Sequence, residues 1–316
     1  MKERELVIVG GGPAGMAAAL AAHKKGVKDI LLLERDQFLG GILNQCIHPG
    51  FGLHYYKADL TGPEFANRLI KEIKATREIE VSPRSFAVKL TGDKIITYLK
   101  PGKMEIVKAR ALIMATGCRE RTREMVHVAG TRPAGVFPAG LAQKLINIEG
   151  LLPGREVVII GSGDIGLIMA RRFTLEGAGV KAVVEIEAKS RGLVRNVVQC
   201  LEDFNIPLYF RHRVARIHGR DRVEKVTVEN TENGETFDLT CDTVLVSVGL
   251  IPENELVEMA GVKLDPATNS PISQSVNLCS IPGLFICGNS YKVYDLVDSV
   301  ARDSEKAGEM AAEYLK

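Results

Sequence analysis

Val7-Ile8-Val9-Gly10-Gly11-Gly12-Pro13-Ala14-Gly15 is the stretch on which the fold turns. An apolar run breaks into G-x-G-x-x-G and passes at once into an alanine-rich segment, predicted as a helix from Pro13 to about Lys25. This is the local pattern of a parallel strand feeding a tight turn and a helix. Gly10 takes a backbone conformation that a Cβ resists. Gly12 lets a pyrophosphate approach the main chain, and Gly15 lets the helix pack close to the strand. The helix N-terminus then offers unpaired N–H groups and a partial positive charge to phosphates. The next strand, Ile30-Leu31-Leu32-Leu33, ends in Glu34 followed by Arg35. An acid about 20 residues past the loop is what a ribose hydroxyl needs.

The pattern occurs twice. Val157-Val158-Ile159-Ile160-Gly161-Ser162-Gly163-Asp164-Ile165-Gly166 leads into a helix predicted to end near Leu175, then Ala182-Val183-Val184-Glu185. Two such loops, about 150 residues apart, point to a chain holding two dinucleotides and passing electrons between them.

The 316 residues suffice for two ordinary domains. The formal net charge of +2 is nearly balanced, so nucleic acid and anionic membrane are not favoured partners. No apolar run approaches the ~20 residues of a membrane span. Met-Lys-Glu-Arg enters the first strand directly, leaving no room for a signal peptide, so a cytoplasmic protein is expected. The six cysteines (Cys46, Cys118, Cys200, Cys241, Cys279 and Cys287) contain no C-x-x-C, which argues against structural zinc, an iron–sulfur cluster and a dithiol centre.

Three further runs read as buried strands ending in small-residue turns: Ala111 to Met114 with Ala115-Thr116-Gly117, Val244 to Gly249, and Ile281 to Asn289 with its Gly288-Asn289 end. An amphipathic helix is predicted from about Asp298 to Leu315. Arg84 to Lys108 alternates like short antiparallel strands, with turns at Thr91–Lys94 and Pro101–Lys103. Pro207 to Leu239 does the same, with Asn233-Gly234 as the hairpin turn.

In this order, the two loops, the A-T-G strand, the V-G strand with I-P-E-N and the P-G-L-F-x-x-G strand resemble the two-dinucleotide flavoproteins that include thioredoxin reductase and lipoamide dehydrogenase. The resemblance implies an α/β protein of two Rossmann-like three-layer domains with small β meanders. It puts FAD on the first loop and NAD(P)H on the second, with the nicotinamide domain (residues 119–250) inserted into the FAD domain (1–118 and 251–316). Hinges are expected just after Gly117 and near Gly249 to Pro252. The cofactor residues so implied are Gly10, Gly12, Pro13, Ala14, Gly15, Glu34, Arg35, Gly41, Asn44, Ala115, Thr116, Gly117, Gly288 and Asn289 for FAD. For the nicotinamide they are Gly161, Gly163, Asp164, Ile165, Gly166, Glu185 and Gly249. Glu185 favours NADH over NADPH, with Glu187 as a second acid; a cationic pocket of Lys189, Arg191 and Arg195 is the competing view.

Gly40 to Gly52 holds Cys46, His48, Gly50 and Phe51. Disulfide reductases of the superfamily carry two redox cysteines here; Cys46 is the one cysteine in this segment, so their reaction is doubtful. Cys46 is read either as a reactive thiol, if its pKa is depressed, or as a small residue packed by the flavin. His48 either relays protons or tunes the flavin, or belongs to a structural or partner-contacting loop. Metal ligation by Cys46, His48 and His54 matches no standard spacing, and no metal is expected. Asp295 and Asp298 either cap the last helix or face the flavin, capping being favoured.

Gly-Gly-x-Leu-Asn-Gln-Cys-Ile-His-x-Gly-Phe-Gly, Ala-Thr-Gly-Cys-Arg-Glu-Arg and Gly-Thr-Arg-Pro-Ala-Gly-Val-Phe-x-Ala-Gly narrow the likeness. They resemble a bacterial group of FAD/NAD-dependent oxidoreductases that accompanies flavin-type glycerol-3-phosphate dehydrogenase. More distant likenesses are components of hydrogen cyanide synthase, opine oxidase and dye-linked proline dehydrogenase. An electron-transfer role beside a companion dehydrogenase subunit or carrier is implied, with homodimer and hetero-oligomer both open. Two other readings stand beside it: a flavin-binding structural or sensor protein, and a thioredoxin-type reductase.

Overall fold

The computed structural model describes residues 1–272 and 277–316. Two compact units are present. One comprises Met1–Arg119 with Ile251–Lys316, the other Glu120–Leu250.

In the first unit the strand Lys2–Val9 runs at the centre of a seven-stranded sheet. It pairs in parallel with Ile30–Leu33 on one side and Lys103–Met114 on the other, so that Val7 sits between Leu31 and Leu112. Ile79–Ser82 extends one edge, and Leu284–Ile286 adds in parallel to Lys103–Met114. Leu6–Val9, Ile30–Leu33, Ala111–Met114 and Leu284–Ile286 are apolar throughout because the sheet is covered on both faces there. The helices Pro13–Lys24, Gly62–Ala75 and Val297–Leu315 cover one face. The other face is covered by an antiparallel meander, in which Phe86–Leu90 pairs with Ile95–Lys100 and Ile95–Lys100 with Lys103–Met114.

The first and last helices meet through small residues. Ala17, Ala18 and Ala22 face Ala301, Ala307 and Ala311 in one core. A Cβ on Gly308 would lie 2.2 Å from the Ala18 carbonyl oxygen, so only glycine permits this crossing. Helix Gly62–Ala75, for which the sequence carried no expectation, starts with a capping box. Thr61 and Glu64 satisfy each other's backbone N–H groups, and a proline occupies the first turn.

The second unit repeats the plan. A five-stranded parallel sheet runs in the order Val136–Pro138, Thr243–Val246, Glu156–Ile160, Gly179–Glu185, Leu208–Phe210. Helices Ala139–Asn147, Asp164–Leu175 and Val194–Cys200 pack on one face. A smaller sheet of Ala129–Gly130, His212–His218, Lys225–Asn230 and Thr236–Thr240 packs on the other. The two three-layer α/β units with their meanders agree with the fold expected from the sequence. One detail differs. Leu208–Phe210, read with the second meander, is the parallel edge strand beside Gly179–Glu185. Its burial is only partial, and an edge strand of three residues carries too short a pattern to tell parallel from antiparallel pairing.

Candidate functional site

In the first unit the predicted residues gather at the carboxyl ends of neighbouring parallel strands, where ligands of open α/β sheets bind. Gly10 has φ +113°, and a Cβ there would lie 2.2 Å from the Ala115 carbonyl oxygen. A Cβ on Gly15 would lie 1.9 Å from the Gly10 oxygen. Gly12 differs: the nearest atom to its added Cβ is the Gly41 Cα, 4.0 Å away. The fold therefore demands glycine at 10 and 15 and leaves open space at 12, as a cradle for a phosphate would. Gly12 is the N-cap of helix Pro13–Lys24, which has no side-chain cap and no acid in its first turn. That end of the helix presents N–H groups and a partial positive charge.

Glu34, buried at the end of its strand, turns back to this loop. Its Oε2 accepts the Gly11 N–H at 2.8 Å and its Oε1 the Asp36 N–H at 2.7 Å. Burial pushes its pKa up, opposed by those two N–H groups. Arg35 points outward and is exposed. The Gly40 N–H bonds the Gly11 oxygen at 2.9 Å, which brings Gly41 against Gly12. Asn44 folds back onto its own turn, donating to the Leu39 oxygen at 3.1 Å. Ala115 continues the strand, its N–H bonding Val9. The Thr116 hydroxyl donates to the Glu253 oxygen at 2.7 Å, and Gly117 has φ +77° with open space at its Cβ position. Gly288 reaches the same place, since its Cβ would lie 2.6 Å from that of Ala14. The Asn289 amide donates to the Cys118 sulfur at 3.5 Å, and its oxygen accepts the Tyr294 N–H at 3.1 Å.

The second unit builds the same device. Gly161 has φ +93°, with a Cβ position 2.2 Å from the Ser247 oxygen. Gly163 caps helix Asp164–Leu175 with nothing within 4 Å of its Cβ position. Gly166 would press on Gly161 and Ser247. Glu185, also buried, accepts the Ser162 N–H at 2.9 Å and the Ser162 hydroxyl at 2.6 Å on Oε2, and the Glu187 N–H at 3.0 Å on Oε1. Asp164 is engaged, its Oδ1 accepting the Leu193 N–H and the Asn196 amide. Ile165 is half-buried. Gly249, at φ +105°, accepts the Arg121 N–H. Of the competing cations, Arg191 pairs with Glu187 at 2.8 Å, while Lys189 and Arg195 are exposed.

The segment after the Gly40-Gly41 turn has an anchor that sequence reasoning missed. Asp298 is 3% exposed and sits in the first turn of the last helix, but it does not cap that helix. Its Oδ2 accepts the Gly52 N–H at 3.0 Å, and its Oδ1 accepts those of His54 and Tyr55 at 2.8 and 2.7 Å. One and two turns on, Arg302 donates to the His54 oxygen and Glu305 accepts the Tyr55 hydroxyl. Of the two roles considered for Asp298, capping is replaced by this clamp. The Cys46 thiol donates to the Ile42 oxygen at 3.3 Å, and burial pushes its pKa up to about 12. The depressed pKa of a reactive thiol is not present. His48 lies beside Phe51 with Nδ1 3.0 Å from the Pro49 oxygen. Among the described residues no three His, Cys, Asp or Glu side chains converge as metal ligands, and no helix is long and apolar enough to cross a membrane. Glu120 was also missed as a functional anchor. It accepts the Gly140 and Leu141 N–H groups at the start of helix Ala139–Asn147, with its pKa raised by burial.

Comparison with known proteins agrees with this geometry. The chain is 24% identical over 339 residues to an opine oxidase subunit of Rhizobium meliloti, covering 98% of this chain and 61% of that protein. It is 23% identical to thioredoxin reductase of Spironucleus barkhanus, covering 90% and 89%. The chain thus spans about 60% of the opine oxidase relative. The crystal structure of T. acidophilum thioredoxin reductase superimposes with a TM-score of 0.80 at 22% identity, covering 99% of both chains. Residues 4–303 match the pyridine nucleotide-disulphide oxidoreductases, whose members use FAD and NAD(P)H. The chain belongs to this family of flavoprotein oxidoreductases.

Proposed function

We propose that this protein takes a hydride from NADH onto FAD and passes the electrons to a companion dehydrogenase subunit or carrier. The observation that carries the reading is the duplicated loop and acid. Each acid lies 23 positions after the second residue of its loop and accepts that residue's N–H. A carboxylate offers about four acceptor sites. Glu34 spends two on the protein, which leaves two for a ribose. Glu185 spends three, which leaves one, on Oε1. A 2′-hydroxyl can fill that last site, whereas a 2′-phosphate would meet a buried carboxylate.

In the first unit, Gly10 to Gly15, Gly41, Thr116 and Gly288 would hold FAD. In the second, Gly161 to Gly166 would hold the nicotinamide dinucleotide. Bound FAD supplies a hydride acceptor at N5 and can release electrons singly or in pairs. The protein's part is orientation and exclusion of water. No acid–base side chain is required, which agrees with the raised pKa of Cys46.

A role in passing electrons within a multi-component oxidase accords with the name of the opine oxidase relative. The relatives are named for opine oxidation and thioredoxin reduction, and none of those names points to glycerol 3-phosphate. A thioredoxin-type reaction has the fold in its favour, but the sequence holds no C-x-x-C.

The test is kcat/KM for NADH and NADPH with an artificial acceptor, in wild type and Glu185→Gln. We expect NADH to be preferred by about tenfold or more, the worth of one hydrogen bond to a charged group, and the preference to shrink in the variant. Preference for NADPH, or an unchanged ratio, contradicts the role of Glu185.

A further inference from the structure

The outer face of the first meander carries exposed apolar side chains. Phe86 pairs with Leu99, and Leu99 with Met104, so the three stand in one row across three strands. They are 51%, 43% and 63% exposed, and Ile106, in the next row opposite Thr97, is 44% exposed. The buried partners on these strands, Ala87, Ile96, Tyr98 and Val107, face the core. A polar outer face would be ordinary for a meander with one solvated side. A row of exposed apolar side chains with charges beside it is a candidate interaction surface.

The rim is cationic. Residues 84–110 carry seven Lys or Arg and two acids, a net +5 in a chain of net +2, so the remaining residues sum to −3. The near-neutral total, which speaks against an anionic partner, conceals this segregation. Lys89 pairs across the strand with Thr97, and Lys108 with Ile95, so both share the face of the apolar row. Arg84 is exposed nearby, whereas Lys100 and Lys103 pair with each other and alternate onto the opposite face. Of the nearby acids, Glu105 is engaged by Tyr98 and Lys103, while Asp93 and Glu3, the latter paired in register with Lys108, lie beside Lys108 at the far end of the row.

We propose that this face docks on an anionic lipid bilayer, with Phe86, Leu99, Met104 and Ile106 entering the interface and the lysines facing lipid phosphates. Self-association through the patch would bring Lys89 and Lys108 of one copy towards those of another. A protein partner requires about 800 Å² per side, whereas three strands ~4.8 Å apart give an apolar centre on the order of 200–300 Å². A bilayer demands no shape complementarity, and each basic residue at its surface adds attraction of its own.

The experiment is cosedimentation of the purified holoprotein with extruded vesicles, either phosphatidylcholine alone or mixed with phosphatidylglycerol. Binding is expected to the anionic vesicles only, and to weaken as salt rises. Phe86→Glu with Met104→Glu is expected to abolish it, and Lys89→Ala with Lys108→Ala to weaken it about 30-fold, the worth of two interfacial lysines. All four positions lie on the outer face, so flavin content and Tm serve as controls that should not move. No binding to anionic vesicles at low salt, or binding that ignores both variants, overturns the proposal. So does a homodimer, or a complex with an acidic protein, that the Phe86/Met104 variant disrupts while vesicles are ignored.

Discussion

Replacing Asp298 by alanine removes a carboxylate that holds three N–H groups of a single loop, those of Gly52, His54 and Tyr55. Hydrogen bonds to a charged group are worth ~1.5–3 kcal/mol each, and a buried donor left unpaired costs ~1–3 kcal/mol. Gly52 is buried, so its N–H bears the full penalty. His54 is exposed and Tyr55 half-buried, so water recovers much of theirs. The net loss is about 2–4 kcal/mol, concentrated in residues 50–56. Native-state hydrogen exchange reads this directly. The amides of Gly52 and Tyr55 should exchange about 30- to 1000-fold faster, while those of Val7 and Ile8 in the central strand stay unchanged. Asp298→Asn should fall between, because its NH₂ confronts either Gly52 or the His54–Tyr55 pair. Unchanged protection at Gly52 and Tyr55 would refute the clamp.

Gly12→Val should fold but purify without FAD, because its side chain enters open space at the phosphate cradle, whereas Gly10→Val should be insoluble, since a Cβ there meets the Ala115 carbonyl; flavin absorbance per chain in the soluble fraction separates the two. Cys46 should react with iodoacetamide at pH 8 roughly a thousandfold more slowly than an ordinary thiol, with the rate rising tenfold per pH unit; labelling at the ordinary rate would show a depressed pKa instead. Burial raises the Glu120 carboxyl, so the folded state holds that proton more tightly than the unfolded chain. The associated stabilisation is complete below the unfolded value near 4.5 and is lost as pH rises through the raised folded value. Urea unfolding of wild type and Glu120→Gln at pH 4 and 7 should therefore show wild type losing ground at the higher pH.

Much of the site was legible because its chemistry is local. Gly10, Gly15, Gly161 and Gly166 are demanded by contacts within their own strand–turn–helix or with the adjacent strand end. Glu34 and Glu185 follow at the ends of the next strands, a spacing set by one helix. The clamp was not legible, because Asp298 meets its partners across more than 240 positions. Its place in the first turn of a helix suggested a cap, the commoner use of an aspartate there. Asp164 reads as a phosphate-loop residue, yet its carboxylate holds Leu193 and Asn196, a contact made only once the following strand and helix are folded. The apolar patch on the meander escaped for a different reason. Net charge averages over the whole chain, while Lys89 and Lys108 stand on one face.

Anaerobic titration of the purified protein with NADH, followed in the visible flavin band, tests the central claim most directly. The account predicts a yellow protein with one FAD per chain, bleached by one equivalent of NADH and restored by an added electron acceptor. A protein that binds FAD but is not reduced by excess NADH or NADPH would contradict it and favour a flavin-binding protein without nicotinamide chemistry.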